Sequence, residues 1–406
     1  MKRADPSIGS ASALMPTYRR YPVTIVRGEG LRVFDDRGRS YLDFAGGIAC
    51  IPIGHSHPAW VEAVQRQAAG LTHVSNLFAT EPQERLAERL VGILGFGQVF
   101  LCNSGAEANE AALKVARRHG RPKGRTKVVA LSGSFHGRTF ATLAATGQPE
   151  KHTPFQPLPE GFVHIAPNDS DALDRAVDPG TAAVLMEPVL GEGGVLPLDE
   201  AYLRQARELC DERGALLILD EVQTGVGRCG AWYAHQRLGG IRPDVVTSAK
   251  ALAGGLPIGA AIARPEVAFG AGEHATTFGG GPVVCAAALA VLDVIEKEGL
   301  VQNAAAMGER LLGGLREAVT GADLAEGPRG LGLLVGAPVG AGRSGAVVAG
   351  LMARGFLATE AGPGVVRATP PLTVDVAAID AFVDAFGEAL RETLDRESQP
   401  AGEAAR

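Results

Sequence analysis

The chain has 406 residues, of which 46% are hydrophobic and 21% charged, a composition typical of a soluble enzyme with a large core. Its formal net charge of −6 argues against a nucleic-acid-binding surface. The longest apolar stretch, 283–292, is too short to cross a bilayer, and the N-terminus lacks the apolar core of a signal peptide. None of the five cysteines forms a Cys-x-x-Cys pair, so we expect a cytoplasmic protein without a zinc site or disulfide framework.

The first element along the chain is a predicted hairpin. Residues 32–44 alternate apolar and polar side chains around an Asp-Arg-Gly turn. The pair His55 and His57 follows it and resembles two metal ligands, but no third ligand is nearby. Gly54 and Pro58 frame the pair, and we interpret it as a structural loop.

From Pro58 to about Leu292, short apolar strands alternate with helical segments, which indicates an α/β domain with a largely parallel sheet. Beyond about Glu296 the pattern changes to a few helices and a short sheet. We therefore expect an N-terminal segment (1–57) that packs with a small domain, a large domain (58–295) and a small α+β domain (296–406). The last helix is marked by Ile379, Phe382, Phe386 and Leu390, and the charged tail after residue 391 should fray. The clearest strands of the large domain are Val99–Cys102, Val128–Leu131, Ala182–Met186, Ala215–Leu219 and Val245–Thr247.

Functional residues are expected after these strands, because α/β sheets bind ligands at the carboxyl edge. After the first strand, Ser104 and Glu107 have the spacing of a capping box, with Gly105 between them. A helix N-terminus beside a glycine presents free N–H groups to a phosphate. Simple helix capping explains the same residues equally well.

The next two strands are followed by an aromatic residue, an arginine and two acids. Phe135 could stack on a flat ring, and Arg138 could hold a carboxylate, although core packing and a surface ion pair are the simpler interpretations. Glu187 and Glu192 lie on a loop rich in proline and glycine, where acids are usually solvated. Glu187 directly follows a buried run and is harder to explain in that way.

The most informative pair is Asp220, which ends the apolar run from Ala215, and Lys250, which follows the run from Asp244 to Ala249. Charges at buried strand ends are unfavourable unless they meet an opposite charge or a ligand. A magnesium site of the nucleotide-hydrolase type is one alternative, but the chain contains no Gly-x-x-x-x-Gly-Lys-Ser/Thr loop. Pyridoxal phosphate needs both groups, a carboxylate at its ring nitrogen and a lysine that holds its aldehyde as a Schiff base.

The ordered set of these motifs resembles the class III pyridoxal-phosphate aminotransferases, from about Tyr18 to Leu390. The likeness is closest to members that act on acetylornithine. It implies fold type I, the cofactor pyridoxal 5'-phosphate, and a homodimer with active sites at the subunit interface. The motifs are residues 104–114 (Ser-Gly-Ala-Glu-Ala-Asn-Glu-Ala-Ala-Leu-Lys), 135–138 (Phe-His-Gly-Arg), Glu187-Pro188, 220–225 (Asp-Glu-Val-Gln-Thr-Gly), Lys250 and 277–280 (Thr-Phe-Gly-Gly).

The resemblance also implies roles for single residues. Lys250 would hold the aldehyde, Asp220 would pair with the ring nitrogen and Gln223 would bind the ring hydroxyl. The cofactor site would also contain Phe135 and Val222 on the two ring faces, Ser104, Gly105 and Ala106 at the phosphate, Glu187, and Thr277 reaching over from the partner subunit.

For the substrates, the resemblance implies that Arg138 holds a distant carboxylate and Arg367 the α-carboxylate of glutamate. Glu192 resembles a gate that pairs with Arg367 while a terminal amine reacts, and Tyr18 would line the pocket. Three residues depart from the usual pattern and bear on substrate fit rather than on cofactor chemistry: Ala106, Leu190 and Gly281.

The activity implied is transfer of the terminal amine of N-acetylornithine to 2-oxoglutarate, with ping-pong kinetics, in arginine biosynthesis. Ornithine, succinylornithine, 4-aminobutyrate or a carrier-bound lysine precursor are alternative donors. An aminomutase or racemase would be a different reaction on the same fold. A non-catalytic scaffold is a further alternative, against which the retained Lys250, Asp220 and Gln223 argue.

Overall fold

The computed structural model describes residues 13–398 and places them in four β-sheets and the helices around them. The strands, in chain order, are β1 (Ile25–Glu29), β2 (Arg32–Asp35), β3 (Ser40–Asp43), β4 (Gln98–Cys102), β5 (Lys127–Leu131), β6 (Phe162–Ile165), β7 (Thr181–Met186), β8 (Val189–Leu190), β9 (Leu196–Pro197), β10 (Leu216–Asp220), β11 (Val245–Ser248), β12 (Gly259–Ala263), β13 (Arg329–Leu331), β14 (Leu334–Pro338), β15 (Phe356–Leu357), β16 (Thr359–Glu360) and β17 (Val365–Ala368). The helices are α1 (Gly46–Ala49), α2 (Pro58–Gly70), α3 (Glu81–Leu94), α4 (Gly105–Gly120), α5 (Phe140–Ala145), α6 (Pro149–His152), α7 (Ser170–Ala176), α8 (Glu200–Arg213), α9 (Ala234–Arg237), α10 (Pro282–Lys297), α11 (Leu300–Ala318), α12 (Ser344–Ala353) and α13 (Val376–Ser398).

The central sheet has seven strands in the order β4-β12-β11-β10-β7-β5-β6. Only β12 among them runs antiparallel to its neighbours, so the prediction of an α/β fold with a mostly parallel sheet is confirmed. The five predicted strands are all present. Strands β6 and β12 were not predicted, and in β12 the reason is its composition, Gly-Ala-Ala-Ile-Ala, which has little strand propensity.

Both faces of this sheet are covered by helices. Val184 and Leu217 point to one face and pack in the cluster that includes α7 and α8. Their neighbours Leu185 and Ile218 point to the other face and pack against α4. Because both faces are buried, the strands are continuous apolar runs rather than alternating ones.

A second sheet joins an early segment of the chain to a strand from its C-terminal part. It has the order β1-β2-β3-β15, and the antiparallel β2–β3 pair confirms the predicted hairpin. The short strand β15 lies parallel to β3, so the segment before residue 58 pairs with the C-terminal part of the chain. One buried cluster contains both Ile295 and Leu300, so the core is continuous across the predicted 295/296 boundary. That boundary and the one at 57/58 stay predictions, and residues 1–12 lie outside the described residues.

A third sheet, β13-β14-β17-β16, carries Arg367 on β17. The final helix α13 buries Ile379, Phe382, Phe386 and Leu390, which confirms the predicted helical spacing. It continues to Ser398, so the expected fraying after residue 391 is wrong for that stretch, where Thr393 is buried and donates to a carbonyl of the same helix. Within residues 13–398, no helix is both long and apolar enough to cross a membrane.

Candidate active site

The carboxyl edge of the central sheet borders a cavity of about 380 Å³. Its volume lies within the usual range of small-molecule sites, about 300–1,000 Å³. The segments that follow β4, β5, β7, β10 and β11 all contribute to its wall. The predicted site residues that line it are Ser104, Gly105, Ala106, Phe135, Arg138, Glu187, Glu192, Asp220, Val222, Gln223 and Lys250.

Asp220 is the last residue of β10 and is buried, yet its carboxylate is well supplied with hydrogen bonds. One oxygen, Oδ2, accepts from Nδ2 of Asn109 at 2.7 Å and from Nδ1 of His136 at 2.8 Å. The other, Oδ1, accepts from the N–H of Val222 at 3.0 Å. Donors of this kind stabilise the charged form of a carboxyl group. Asp220 therefore presents a carboxylate with both oxygens hydrogen-bonded at the sheet edge.

Asn109 and His136 have no role in the predicted site and are the main additions to it. Asn109 is 1% exposed on α4, and its Oδ1 accepts from the hydroxyl of Thr247 at 2.7 Å. A polar residue between the buried alanines 108 and 111 is the sequence signal that could have identified it. His136 is also buried, and its Nε2 has no hydrogen-bond partner among residues 13–398.

The N-terminus of α4 forms one end of the cavity. The hydroxyl of Ser104 accepts from the N–H of Glu107 at 3.1 Å, as the capping spacing predicted. The Glu107 carboxylate accepts instead from the N–H of Asn103, one residue earlier than a capping box requires. The N–H groups of Gly105 and Ala106 are the first of the helix and lack helical partners, so they can bind an anion.

Space at this end is tight. A Cβ on Gly105 would lie 2.7 Å from Cγ1 of Val222, well inside van der Waals contact. Gly105 is thus required by the approach of Val222, which lines the cavity together with Phe135. The two side chains provide apolar surfaces for a flat ring.

Glu187 connects two of the loops in the wall. It is 4% exposed, and its carboxyl oxygens accept from the N–H of Phe135 at 2.8 Å and from that of Gly191 at 3.1 Å. Burial raises the pKa of Glu187 to about 7, and the nearby Asp220 charge contributes, while His136 opposes the shift. Its position holds the ring-facing loop and the Glu192 loop together.

Lys250 begins a 3-10 turn directly after β11. Its φ of 43° lies in the left-handed region, which is uncommon for a residue with a side chain and is frequently associated with functional sites. Burial lowers the pKa of the Lys250 amine, Glu192 opposes the shift and Arg367 adds to it. A larger neutral fraction of the amine suits it for nucleophilic attack and proton transfer.

Arg367 lies behind the cavity wall and is 1% exposed. Its Nη1 donates to Oε1 of Glu192 at 2.5 Å, to the carbonyl of Gly191 at 3.1 Å and to Oε1 of Gln223 at 3.3 Å. Burial alone would raise the pKa of Glu192, but the positive charges of Arg367 and Lys250 hold it below its ordinary value. Glu192 and Gln223 thus separate Arg367 from the cavity.

The remaining predicted residues lie further out. Arg138 is exposed at the rim, with its guanidinium carbon 5.6 Å from the ring centre of Phe135. Thr277 is exposed and lines a different surface cavity, and Tyr18 is 79% exposed and does not line the 380 Å³ cavity. A single chain leaves the predicted partner-subunit role of Thr277 untested.

The two histidines of the early loop have structural partners. His55 Nε2 lies 2.8 Å from the Asp43 carboxylate, and His57 Nε2 lies 3.2 Å from that of Glu298. Within residues 13–398, no group of three or more His, Cys, Asp or Glu side chains could hold a metal ion. Each ring thus contacts a carboxylate from another part of the chain, and the interpretation of the pair as a structural loop stays a prediction.

Known proteins similar to this chain share one family. Residues 14–390 match the family described as "Aminotransferase class-III". The chain is 48% identical to the acetylornithine aminotransferase of Thermosynechococcus vestitus, over 93% of this chain and 95% of that one. It is 36% identical, with a TM-score of 0.81, to the solved N-acetylornithine aminotransferase of Stenotrophomonas maltophilia, over 93% and 98% of the two chains. A Toxoplasma gondii ornithine aminotransferase structure with partial occupancy of PLP at its active site has a TM-score of 0.91 and 32% identity, over 95% and 93%.

The residues of the cavity fit pyridoxal phosphate. Free N–H groups at Gly105 and Ala106 suit a phosphate, and the hydrogen-bonded carboxylate of Asp220 suits a protonated ring nitrogen. Lys250 lines the same cavity, where its amine can hold the aldehyde. The chain belongs to the class III aminotransferases, and its cofactor is pyridoxal 5'-phosphate.

Proposed function

We propose that this chain transfers the terminal amino group of N-acetylornithine to 2-oxoglutarate, giving N-acetylglutamate 5-semialdehyde and glutamate for arginine biosynthesis. The observation that carries the proposal is the ion pair between Glu192 and Arg367. Such a pair suits an enzyme whose donor brings no carboxylate close to the reacting amine. The acetylornithine aminotransferases that resemble this chain support the same donor.

The donor half of the reaction uses the paired state. While Glu192 neutralises Arg367, a terminal amine can approach Lys250 without meeting an unpaired positive charge. The α-carboxylate of the donor lies several bonds away, where the exposed guanidinium of Arg138 is available to it. Bidentate binding at that distance would place the amine at the inner end of the cavity.

The acceptor half requires the pair to open. The α-carboxylate of 2-oxoglutarate lies beside the reacting carbon and needs a cation there, which Arg367 supplies once Glu192 turns away. The second carboxylate can bind Arg138. One cavity thereby serves two substrates whose carboxylates lie at different distances from the reacting atom.

Bound pyridoxal phosphate supplies an aldehyde that exchanges amines and a ring that withdraws electrons. Asp220, with its hydrogen bonds from Asn109 and His136, would hold the ring nitrogen through its carboxylate. The Lys250 amine, whose pKa burial lowers, would hold the aldehyde and, once free, could accept and return a proton at its Nζ. Phe135 and Val222 line the cavity and would cover the two faces of the ring against water.

The charges of the cavity favour an acetylated donor over free ornithine. Acetylation removes the α-ammonium, which in ornithine would lie beside the carboxylate bound by Arg138 and thus near its guanidinium. Within residues 13–398, Arg138 forms no ion pair with a carboxylate that could offset this repulsion. The neutral acetamide meets no such penalty.

We further propose a cytoplasmic homodimer with an active site at each side of the interface. The exposed side chains of Leu77, Phe78 and Phe278 form an apolar surface beside Thr277, and a second copy would cover it. This arrangement would let Thr277 of one copy reach the phosphate end of the other copy's cavity. The five free cysteines are compatible with a reducing compartment.

A panel of donor half-reactions tests the proposed donor. The purified enzyme with bound cofactor is mixed with N-acetylornithine, ornithine, succinylornithine or 4-aminobutyrate, and the rate at which the cofactor's absorbance changes is measured for each. N-acetylornithine should have the highest second-order rate constant. A faster reaction with 4-aminobutyrate would reject the proposed donor, and turnover without any 2-oxo acid would indicate an aminomutase or racemase.

A further inference from the structure

Arg228 is a buried arginine in the loop that follows β10. It is 1% exposed, and none of the ion pairs within residues 13–398 includes it. Burial lowers its pKa to about 10, so the guanidinium remains charged at neutral pH. A buried and unpaired cation is unfavourable, so its presence calls for a compensating contact.

The contacts of Arg228 are backbone carbonyls of the third sheet. Its Nη1 donates to the carbonyl of Leu333 at 3.1 Å and to that of Pro370 at 2.5 Å. The N–H of Leu333 donates back to the carbonyl of Arg228 at 2.9 Å. Val335 of β14 lies opposite Ala368 of β17, so Leu333 and Pro370 lie opposite each other at the end of the same strand pair. Arg228 bridges the two strands there.

This strand pair carries the arginine of the proposed carboxylate site. Arg367 lies on β17 opposite Gly336 of β14, three residues before Pro370. The loop of Arg228 also carries Gln223, whose Oε1 accepts from Arg367 at 3.3 Å. The loop and the strand pair are therefore joined at two points, one beside the cavity and one behind it.

The contact behind the cavity depends on close approach between the backbone of the Arg228 loop and that of the strand pair. Gly332 has a φ of 56°, and a Cβ there would lie 2.6 Å from the carbonyl oxygen of Arg228 and 2.5 Å from the carbonyl carbon of Cys229. No side chain fits between the loop and the strand pair at this point. The distance between them is thus set by the backbone and by the guanidinium that spans it.

We propose that Arg228 is a positioning residue for substrate carboxylates, because it fixes the strand pair that carries Arg367 relative to the loop that carries Asp220 and Gln223. The inference rests on the proposed role of Arg367 in binding the α-carboxylate of 2-oxoglutarate. Arg228 acts through Arg367 and touches neither substrate nor cofactor. Loss of Arg228 should therefore impair the acceptor half-reaction, in which Arg367 binds 2-oxoglutarate. It should spare the donor half-reaction, in which Glu192 pairs with Arg367.

The first test measures binding without turnover. Both hydrogen bonds come from Nη1, while Nε and Nη2 are buried without a partner among residues 13–398. Arg228→Met removes both hydrogen bonds at similar volume, and Arg228→Lys keeps a charged donor on a shorter, more flexible side chain. Glutarate, an unreactive five-carbon dicarboxylate, is titrated calorimetrically into the cofactor-bound enzyme. We expect its Kd to rise by about tenfold in Arg228→Met and by less in Arg228→Lys. The control is Arg207→Met, which removes another largely buried arginine, one that pairs with Asp244 and does not line the cavity.

The second test separates positioning from general stability. In Arg228→Met, the KM for 2-oxoglutarate should rise by about tenfold while kcat stays within about threefold. The donor half-reaction with N-acetylornithine should keep its wild-type rate. An unchanged glutarate Kd, or an equal loss in both half-reactions together with a lower Tm, would overturn the inference.

Two further outcomes are decisive. If Arg228→Met does not fold, the same criteria apply to Arg228→Lys. A glutarate Kd in Arg228→Lys that equals the wild-type value then rejects the positioning role. If wild-type enzyme does not use N-acetylornithine, the proposed function fails, but the glutarate titration and the KM for 2-oxoglutarate still report on Arg228.

Discussion

Glu192 and Arg367 are 175 residues apart in the chain and form an ion pair of 2.5 Å behind the wall of the active-site cavity. The arginine is 1% exposed, so the cavity meets Glu192 and not the guanidinium. A carboxylate substrate can reach Arg367 only after Glu192 moves. The pair is thus a structural basis for discrimination between donors with and without a carboxylate beside the reacting amine.

Replacement of Glu192 by alanine should shift the donor preference from terminal-amine donors toward α-amino donors. The unpaired Arg367 would favour glutamate, which has an α-carboxylate beside its amine, and disfavour N-acetylornithine. We expect the ratio of kcat/KM for glutamate to that for N-acetylornithine to rise by at least about tenfold, since a buried charge pair is broken on one side only. Donor half-reactions of the variant, measured by stopped flow, give this ratio.

The exposed acid Glu309 provides the control for that variant. Glu309→Ala also removes one negative charge, but from a surface pair with Arg237. It should leave the donor ratio at its wild-type value. The same donor ratio in Glu192→Ala and in wild type would reject the gate.

Glu187 should make stability depend on pH between about 4.5 and 7. The folded protein raises the pKa of this carboxyl from 4.5 to about 7, chiefly through burial, so the folded state binds the proton more tightly than the unfolded chain does. Its contribution is complete below the unfolded value and is lost as the pH rises through the folded one. The total is on the order of 3 kcal/mol.

Glu187→Gln removes this titration and allows the contribution to be measured. The difference in the free energy of unfolding between wild type and variant should decrease as the pH is raised from 5 to 8. The expected decrease is on the order of 3 kcal/mol. Urea titrations at several pH values provide these energies. Glu62→Gln, at an exposed position of α2, should show a constant difference, and a constant difference for Glu187→Gln as well would contradict the prediction.

The apolar surface around Phe278 should be needed for dimer formation. Phe278 is 66% exposed, and Asn76 joins its loop to that of Leu77 by donating to the carbonyls of Thr276 and Gly279. Phe278→Glu places a charge in the proposed interface, and the Kd of the dimer should rise at least about a hundredfold. Light scattering across a dilution series measures this change.

Phe155→Glu is the matched control for the interface. Phe155 is also an exposed aromatic residue, 50% exposed, in a different surface turn. The control should keep the molecular mass of wild type. If Phe278→Glu keeps that mass too, the proposed interface is wrong.

Local sequence patterns predicted the sheet edge and much of the cavity. Asp220 and Lys250 are charged residues that end buried apolar runs, and this pattern is visible in the sequence without any tertiary information. Ser104 and Glu107 likewise reveal the helix start by their spacing, because a cap is a local interaction. Residues whose role follows from a strand end or a cap can be found in this way.

Two residues whose roles depend on distant contacts had no local signal in the sequence, whereas the equally distant Glu192–Arg367 pair was implied by the family resemblance. Arg228 has the local sequence of a surface residue in a glycine-rich loop, but it is buried and its hydrogen-bond partners, Leu333 and Pro370, lie more than 100 residues further along the chain. His136 was visible within a motif, but its contact with Asp220 spans 84 positions. Long-range pairing of this kind is set by how the sheets pack and leaves no periodic signal in the chain.

A last prediction concerns the contact between Gly105 and Val222 at the phosphate end of the cavity. In Gly105→Ala the added Cβ would lie 2.7 Å from Cγ1 of Val222, so one of the two must move. We expect the Kd for pyridoxal phosphate to rise at least about tenfold, because the movement disturbs both the phosphate N–H groups and a ring contact. Fluorescence titration of the apoenzyme with cofactor measures it.

Val222→Ala should restore part of this loss. The double variant removes the methyl groups that clash with the new Cβ, so the effects of the two substitutions should be non-additive by about 1–3 kcal/mol in cofactor binding. Gly313→Ala is the control, since Gly313 lies in α11 with no atom near its Cβ position. It should leave cofactor binding unchanged and stabilise the helix by about 0.5–1 kcal/mol. Strict additivity of Gly105→Ala and Val222→Ala would show that the glycine is required for another reason than this contact.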